Sequence, residues 1–509
     1  MAGMSRVSLS SVFRDAAAAV LLTGVGGGGL GCDCNADATR PGDAMVASPR
    51  TSEQLNEPPV ARTRVESLRW LAIGGGTVPD TNQVSLEQNI VLAESVLGTN
   101  GRVLFAGGSG RFGVQVLVGT PAQDPLLLEL GELFDPRPDR QAQYRLTTLA
   151  VDGPSTASEV RQMFERVGSA DGPPILVYVT THGEQGEAPS DNAIALWRGG
   201  LLTVSELVAA MGETPSRQIQ FVITSCFSGG FAELVFAHAS SKEGATHVDR
   251  CGLFASTWNR ESSGCDPNPD RRSQEGYGIH FWNALAGRDR NGRTLALAEL
   301  DFNHDGRISL LEAHTRVRVA SASIDIPTTT SERWIRHVAP SRGPMEAVDL
   351  PEERAVIEVL GTRLVLPDEG AARASLRDIE QRLADLDEQG VQVGERIDRL
   401  AAELQTDLLE RWPALGDPWN VDFARTLDSH HLEIETSLRG SQIRPLFQQA
   451  RAELDAMQSA LDALEVRAAE VERLVRAYET VELGQRLRAR GGPTWTVYER
   501  LLACERSIP

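Results

Sequence analysis

The sequence predicts an α/β fold in three layers with a mostly parallel sheet, followed by a C-terminal α-helical hairpin. Apolar runs such as ILVYVT (175–180) and IQFVI (219–223) are hydrophobic on both faces, which is typical of strands in a parallel sheet covered on both sides. Helical patterns alternate with such runs over residues 67–220, in the order that βαβ units produce. Further along, apolar residues recur at steps of three and four over 376–404 and 450–478, which indicates two long amphipathic helices.

The alternation can be followed element by element. The predicted strands are short apolar runs followed by small residues, and they lie within 67–76, 101–110, 173–183, 217–226 and 251–258. The predicted helices have apolar residues at helical spacing, and they lie within 85–98, 155–168, 202–212 and 275–287. These elements form an α/β domain over 67–345. The two long helices form a coiled-coil-like domain over 350–509, either as an antiparallel hairpin packed on the first domain or as a stalk or dimerisation arm.

The composition limits the class of partner. The chain has 509 residues, 41% of them hydrophobic, so it is long enough for two or three domains with sizeable cores. Its formal net charge of −20 argues against nucleic acid or an anionic membrane surface as the main partner, since both would repel it. No apolar stretch in the body of the chain reaches the roughly 18–20 residues that span a bilayer. Nothing in the composition fixes the oligomeric state.

The N-terminus resembles an export signal. Arg6 and Arg14 precede a short apolar core and small residues, so residues 1–31 are interpreted as a signal peptide that directs the protein to the periplasm or the cell surface. A disordered tail is the alternative. The ending GLGC at Cys32 resembles a bacterial lipoprotein lipobox, which makes Cys32 a candidate for lipidation and for a membrane anchor. Residues 32–66 are rich in Ala, Pro, Thr, Asp and Asn and are predicted to be a flexible tether.

Six cysteines allow disulfide bonds if the protein is exported. Cys251 and Cys265 flank a predicted strand and the loop after it. A bond between them would close a loop of about 15 residues, which in the chain-entropy model stabilises a fold by roughly 3 kcal/mol. We therefore expect a Cys251–Cys265 disulfide, with two unpaired cysteines as the alternative.

A histidine and a cysteine each follow an apolar run. His182 comes after the strand at 175–180, and Cys226 after the strand at 219–223. Ligands of open parallel sheets bind at the carboxyl ends of the strands, so both side chains would share one edge if the strands are neighbours. An imidazole is the usual base for a nucleophilic thiol, and the main-chain N–H groups of Gly183 and Cys226 would form an oxyanion hole. An inert buried thiol and a histidine at a strand end are the alternative.

The motifs TTHGE and TSCFSGGF resemble those of the caspase-fold cysteine peptidases, the group of caspases, metacaspases, legumain, separase and gingipains. The resemblance covers about residues 67–340 and implies a caspase-like sandwich with a legumain-like or bacterial caspase-like character. It implies that His182 is the general base and acid, and that Cys226 is the nucleophile. The implied reaction is hydrolysis of a peptide bond in a protein or peptide substrate through a thioester. Thr224 stands where family members often have an acidic residue, and the substrate preference stays open.

Two other functions are compatible with the same residues. A protein that keeps the dyad behind a blocked cleft would be a binding or scaffold protein at the cell surface. Some legumain-like enzymes ligate peptides, so transpeptidation is the second alternative. Alkylation of Cys226 by a peptide-based electrophile separates an enzyme from a scaffold.

The segment DFNHDGRISLLE fits the twelve-residue calcium loop of EF-hands. Asp301, Asn303 and Asp305 supply side-chain oxygens at positions 1, 3 and 5. Arg307 supplies its main-chain carbonyl at position 7, and Glu312 supplies two carboxylate oxygens at position 12. We expect a structural calcium ion here, and no organic cofactor. A turn rich in Asp and Asn that binds nothing is the alternative.

Overall fold

The computed structural model of the protein describes residues 65–110, 112–117, 124–134, 142–213 and 217–508. The predicted export signal (1–31) and the lipidation candidate Cys32 lie outside the described residues. So does the predicted tether, apart from Val65 and Glu66. The described residues belong to one compact unit, Thr63–Pro509.

A six-stranded, mostly parallel sheet lies at the centre of the α/β part. The described strands are β1 (Trp70–Gly74), β2 (Gly101–Phe105), β3 (Phe112–Leu117), β4 (Ala142–Leu146), β5 (Ile175–Thr180), β6 (Gly183–Glu184), β7 (Ala193–Leu196), β8 (Gly200–Thr203), β9 (Ile219–Ile223), β10 (Arg250–Phe254) and β11 (Thr328–Thr329). The central sheet has the order β11-β10-β9-β5-β1-β2, and within it β11 alone is antiparallel to its neighbour. Two small antiparallel sheets, β3-β4 and β6-β7-β8, stand beside it. The predicted α/β class with a mostly parallel sheet is confirmed.

Helices follow or separate most of these strands and then dominate the second half of the chain. The described α-helices are α1 (Val84–Leu97), α2 (Pro125–Leu133), α3 (Ala157–Ser169), α4 (Val204–Met211), α5 (Tyr277–Leu285), α6 (Leu310–Ala320), α7 (Thr330–Val338), α8 (Pro351–Leu364), α9 (Glu369–Arg411), α10 (Phe423–Gly440), α11 (Ile443–Arg490) and α12 (Pro493–Glu505). None of the described helices combines the length and the apolar character that a bilayer crossing needs.

Helices cover both faces of the central sheet because successive side chains of a strand point to opposite faces. On one face, Val177 and Phe221 pack against α3 and α4. On the other face, Tyr178, Val222 and Leu253 pack against α1, α5 and α6. All five side chains are completely buried. The sheet is therefore the middle of three layers, and its two ends are the places where polar side chains can gather.

The two longest helices, α9 and α11, run antiparallel along each other. Arg373 near the start of α9 pairs with Glu479 in the second half of α11 at 2.6 Å, while Arg396 pairs with Glu453 closer to the turn. One end of this hairpin packs against α6 and α8, and the other end packs against α2. The two predicted amphipathic helices are confirmed, and they pack on the rest of the protein instead of projecting as a stalk.

The predicted disulfide between Cys251 and Cys265 is wrong. Cys251 in β10 is bonded to Cys504 in α12, with the Cα atoms 6.1 Å apart, while Cys265 is a free and exposed cysteine. The reason is tertiary packing. Helix α12 lies against β10 in an apolar cluster that includes Tyr498 and Leu501, so a cysteine 253 residues away in sequence is the close one in space.

Candidate active site

His182 and Cys226 lie beyond the carboxyl ends of two adjacent strands. β5 and β9 are parallel neighbours, with Val179 opposite Ile223. His182 stands three residues after Val179, and Cys226 stands three residues after Ile223. The two residues therefore follow the last paired positions of their strands by the same number of residues. Thr224 continues the pairing, since its N–H donates to Val179 O at 2.9 Å. Both predicted residues therefore share one edge of the sheet.

Main-chain contact brings the two motifs together. A Cβ atom on Gly183 would overlap the carbonyl oxygen of Cys226, so only glycine lets the His-Gly segment approach the cysteine this closely. Ala195 N donates to His182 O at 2.9 Å, and Gly183 pairs with Ile194. Gly183 thus belongs to a non-hydrogen-bonded pair of the β6-β7 ladder, and its N–H points away from β7. This N–H is not used by the ladder.

The imidazole of His182 is half-buried and held through one ring nitrogen. Its Nε2 lies 2.8 Å from the main-chain oxygen of Thr81 and 3.1 Å from Gln83 Oε1. A main-chain carbonyl only accepts hydrogen bonds, so these partners assign the proton to Nε2 and the lone pair of the neutral ring to Nδ1. An imidazole in this tautomer takes up a proton at Nδ1, as a general base must.

The thiol of Cys226 contacts Ser262, on the loop after β10. Ser262 N donates to Sγ at 3.3 Å, and the thiol donates in return to Ser262 O at 3.6 Å. Burial raises the pKa of Cys226 to about 12, so the group is a neutral thiol at physiological pH. A neutral thiol needs a base at the moment of attack, whereas a preformed thiolate does not.

The turn after the cysteine has an unusual main-chain conformation. Phe227 has a φ of 58°, in the left-handed region that bulky residues rarely adopt. Asn192 stabilises this turn, since its Nδ2 donates to Phe227 O at 2.9 Å and to Trp258 O at 2.6 Å. Asn192 is fully buried. Backbone strain of about 1–3 kcal/mol that persists because the surroundings enforce it is often found at functional sites.

The loop that carries Ser262 is supported from the second half of the chain. Ser263 N donates to the carboxylate of Asp325 at 2.6 Å, and Arg260 pairs with Glu472 of α11 at 2.6 Å. The Asp325 carboxyl is completely buried, and burial raises its pKa to about 6. The cysteine thus lies beside a loop whose position depends on residues from 325 onward.

The EF-hand-like segment runs into α6, whose first turn contains Glu312, and its carboxylates bind the main chain of their own loop. Asp301 accepts hydrogen bonds from Asp305 N at 3.0 Å and from Gly306 N at 2.9 Å. Glu312 is fully buried and accepts from Phe302 N at 2.8 Å. These contacts fold the twelve residues into a closed loop with its first and last carboxylates turned inward.

The donors of this loop are all oxygens. Besides the carboxylates, Asn303 contributes an amide oxygen and Arg307 a main-chain carbonyl, and hard oxygen ligands of this kind suit calcium. In the part of the chain that the structure describes, no three His, Cys, Asp or Glu side chains converge as they do in a metal centre. It is by donor type alone that the residues of this loop fit calcium.

Sequence reasoning did not identify four residues that organise the active-site edge, namely Thr81, Gln83, Asn192 and Ser262. Thr81, Gln83 and Ser262 come from loops far from both motifs in sequence, whereas Asn192 follows His182 by ten residues. A signal was present for two of them, because the loop after β1 carries Thr81 and Gln83, and β1 is the other neighbour of β5. Loops at the carboxyl ends of neighbouring parallel strands meet at one edge.

No protein-family model matches this sequence, and no curated protein matches it either. What the molecule does must therefore be inferred from the geometry around Cys226.

Proposed function

We propose that the protein is a cysteine peptidase of caspase-like fold, with Cys226 as nucleophile and His182 as general base and acid. The observation that supports this best is the register of β5 and β9. In this register, a histidine and a cysteine follow two adjacent strands by the same number of residues, at one edge of the sheet. The tautomer of His182 and the enforced turn at Phe227 support it further. An inert buried thiol requires neither of these arrangements.

The reaction begins with transfer of the thiol proton from Cys226 to Nδ1 of His182. Sγ then bonds to the carbonyl carbon of the scissile peptide, and the electron pair of the C=O bond moves onto oxygen. The main-chain N–H groups of Gly183 and Cys226 would donate to this oxyanion. The C–N bond breaks as the histidine gives its proton to the leaving amine, which leaves a thioester. Water, deprotonated by the same histidine, attacks the thioester and releases the acid and the thiol.

A peptide library and an electrophilic peptide probe test this function. The Cys226→Ala and His182→Ala proteins should lose at least about a thousandfold in kcat/KM. His247→Ala is the control, because this histidine is exposed and precedes the amino end of β10, at the opposite edge of the sheet, so activity should be unchanged. Full activity of the Cys226→Ala protein would disprove the assignment.

The alternatives give different results in the same experiment. A scaffold protein would neither cleave the library nor be labelled at Cys226. A transpeptidase would be labelled, and in the presence of an added amino-terminal peptide it would yield a ligated product that mass spectrometry detects.

We also propose that the loop from Asp301 to Glu312 binds calcium in a structural role, because its donors are all oxygens at EF-hand spacing. Calcium when bound would neutralise the crowded carboxylates of the loop.

Export is part of the same proposal. A disulfide such as Cys251–Cys504 persists in oxidising compartments, which favours the periplasm or the cell surface.

A further inference from the structure

Two large apolar side chains are exposed at the tip of the α9–α11 hairpin, where α10 connects the two long helices. Trp419 and Val421 lie in the segment between α9 and α10, and they are 84% and 94% exposed. Buried side chains hold this segment on both sides of them, namely Leu415 before and Phe423 after. The tryptophan and the valine therefore belong to an anchored turn that presents apolar area to solvent, as interaction surfaces do.

A groove lies beside this turn. The end of α9 and the second half of α10 form it, and its lining includes Arg411, Trp412, Leu432 and Glu433. Its volume is about 810 Å³, which is ample for an indole ring. Leu432 is 73% exposed, so the apolar part of the groove is open to solvent.

The exposed turn and the groove are parts of one surface. A short 3-10 helix, Pro413–Gly416, follows Trp412 directly, packs against both α9 and α10, and leads into the turn that carries Trp419. Trp419 is exposed, so it does not fill the groove of its own chain. A second copy of the chain, related by a two-fold axis, can fill it, because such an axis places the turn of each copy against the groove of the other.

The groove contributes an unpaired positive charge. The guanidinium of Arg411 lies over the ring of Trp412 at 5.9 Å and donates to Ser437 Oγ at 3.3 Å, but it forms no ion pair with the described residues. The acid of the lining, Glu433, is paired with His430 at 3.0 Å instead.

The exposed turn contributes an unpaired negative charge. Asp417 is exposed and accepts a hydrogen bond from Trp419 N at 2.8 Å. Within the described part of the chain, it has no cationic partner, whereas Asp422 at the other end of the turn pairs with Arg425 at 2.8 Å. The turn and the groove are therefore complementary in charge as well as in shape, with an acid beside the tryptophan and an arginine beside the groove.

We propose that the hairpin tip is an interface between two copies of this chain, in which Trp419 of each copy inserts into the groove of the other. The exchange is reciprocal, so Asp417 of each copy pairs with Arg411 of the other. The apolar contact supplies affinity, and the charge pairs select the orientation. The interface belongs to the small class that buries about 1,000 Å² in total, so we expect a dissociation constant on the order of 10 µM. The proposal does not depend on the peptidase function.

Sedimentation equilibrium of the purified full-length protein tests the interface. We expect a shift from one chain to two over about 1–200 µM, a range that brackets the expected constant. Trp419→Ala should weaken the dimer at least about tenfold, as loss of a central aromatic anchor does. A wild type that stays monomeric over this range, or a dimer that Trp419→Ala leaves unchanged, overturns the proposal.

Two valines of similar exposure give a matched comparison. Val421→Ala should weaken the dimer, because Val421 lies on the exposed turn. Val365→Ala should leave it unchanged, because Val365 is 83% exposed but precedes the start of α9, a helix of 43 residues that separates it from the tip by about 65 Å. Equal effects of the two substitutions overturn the proposal.

Charge reversal tests the reciprocal pairing. Arg411→Glu and Asp417→Arg should each weaken self-association, because each places like charges opposite one another at both ends of the interface. An equal mixture of the two variants should associate about as tightly as the wild type, since each supplies the charge that the other lacks. Arg399→Glu is the control, because Arg399 is an exposed cation about 18 Å from Arg411 along α9 and should not affect the dimer. A mixture that associates no better than either variant alone overturns the exchange, and if circular dichroism shows that either variant is unfolded, the result for Trp419→Ala decides.

Vesicles of phosphatidylcholine separate a second copy from a membrane as the occupant of the tip. A dimer that does not sediment with the vesicles supports the proposal. A protein that stays monomeric and sediments with the vesicles, and that loses this binding on Trp419→Ala, uses its tip to bind a lipid surface, which overturns the proposal.

Discussion

The guanidinium of Arg473 in α11 donates from Nε to the main-chain oxygen of Asp325 at 2.7 Å. The same side chain donates to the main-chain oxygens of Ser321 at 2.8 Å and Ser323 at 2.6 Å. Asp325 in turn accepts from Ser263 N, in the loop beside Cys226. One completely buried arginine of the helical hairpin therefore holds the segment on which the loop of the active site rests.

Arg473→Met should lower both stability and activity. Several buried carbonyls would lose their donors, so we expect the free energy of unfolding in urea to fall by at least about 2 kcal/mol. The active-site loop would lose its support, so kcat should fall while KM changes less. Arg486→Met is the control, since Arg486 pairs with Glu482 within the same helix and is expected to cost under about 1 kcal/mol. Equal stability of the two variants would contradict a supporting role for Arg473.

The disulfide between Cys251 and Cys504 should contribute a large share of the stability. Cys504→Ser removes a bond between two cysteines that are 253 residues apart in sequence. We expect the free energy of unfolding, measured by chemical denaturation, to fall by about 2–5 kcal/mol. Cys265→Ser removes a free, exposed cysteine and should change stability little. If both serine variants unfold at the same denaturant concentration, the bond has no stabilising role.

Glu505 gives the protein a predictable dependence on pH. It is completely buried at the end of α12 and accepts hydrogen bonds from Thr330 and Ser331 at the start of α7. Burial raises its pKa to about 7 from an ordinary value near 4.5. Its contribution to stability is therefore fully present below about pH 4.5 and is lost as the pH rises through about 7.

Replacement of this carboxyl by an amide tests the sign. The wild type should lose stability relative to Glu505→Gln as the pH rises from 5 to 8, by an amount on the order of 2–3 kcal/mol. Melting temperatures of both proteins at several pH values measure the difference. Glu499→Gln, an exposed position on the same helix, should run parallel to the wild type. A constant difference between the wild type and Glu505→Gln would show that Glu505 does not titrate in this range.

Calcium should stabilise the folded protein through the loop before α6. At a hundredfold excess over its dissociation constant, a ligand that binds only the folded state adds about 2.7 kcal/mol, so millimolar calcium should raise the melting temperature. Glu312→Gln should remove most of that rise, while Glu299→Gln, just outside the loop, should keep it. Activity should fall in chelator because order is lost. Calorimetry that detects no calcium binding to the wild type would leave the loop as a turn.

The sequence was informative where a local pattern determines the structure. The strands before His182 and Cys226, and the long helices α9 and α11, follow from apolar runs and periodicity that any short window contains. The partners of these residues come from distant segments. Thr81 accepts a hydrogen bond from His182, and Cys504 bonds to Cys251, because separate elements pack together. The spacing of residues along the chain does not indicate which distant elements will pack together.

The sequence separation between Cys251 and Cys504 also determines when their disulfide can form during synthesis and folding. Cys251 leaves the ribosome 253 residues ahead of its partner, while Cys226 and Cys265 are far closer to it along the nascent chain. Its thiol must therefore stay unpaired until Cys504 has been made, and the docking of α12 against β10 is what brings the two sulfurs together. The native disulfide then forms only in molecules whose last helix is in place, so the fraction of a newly made sample that carries it reports how many chains have completed assembly.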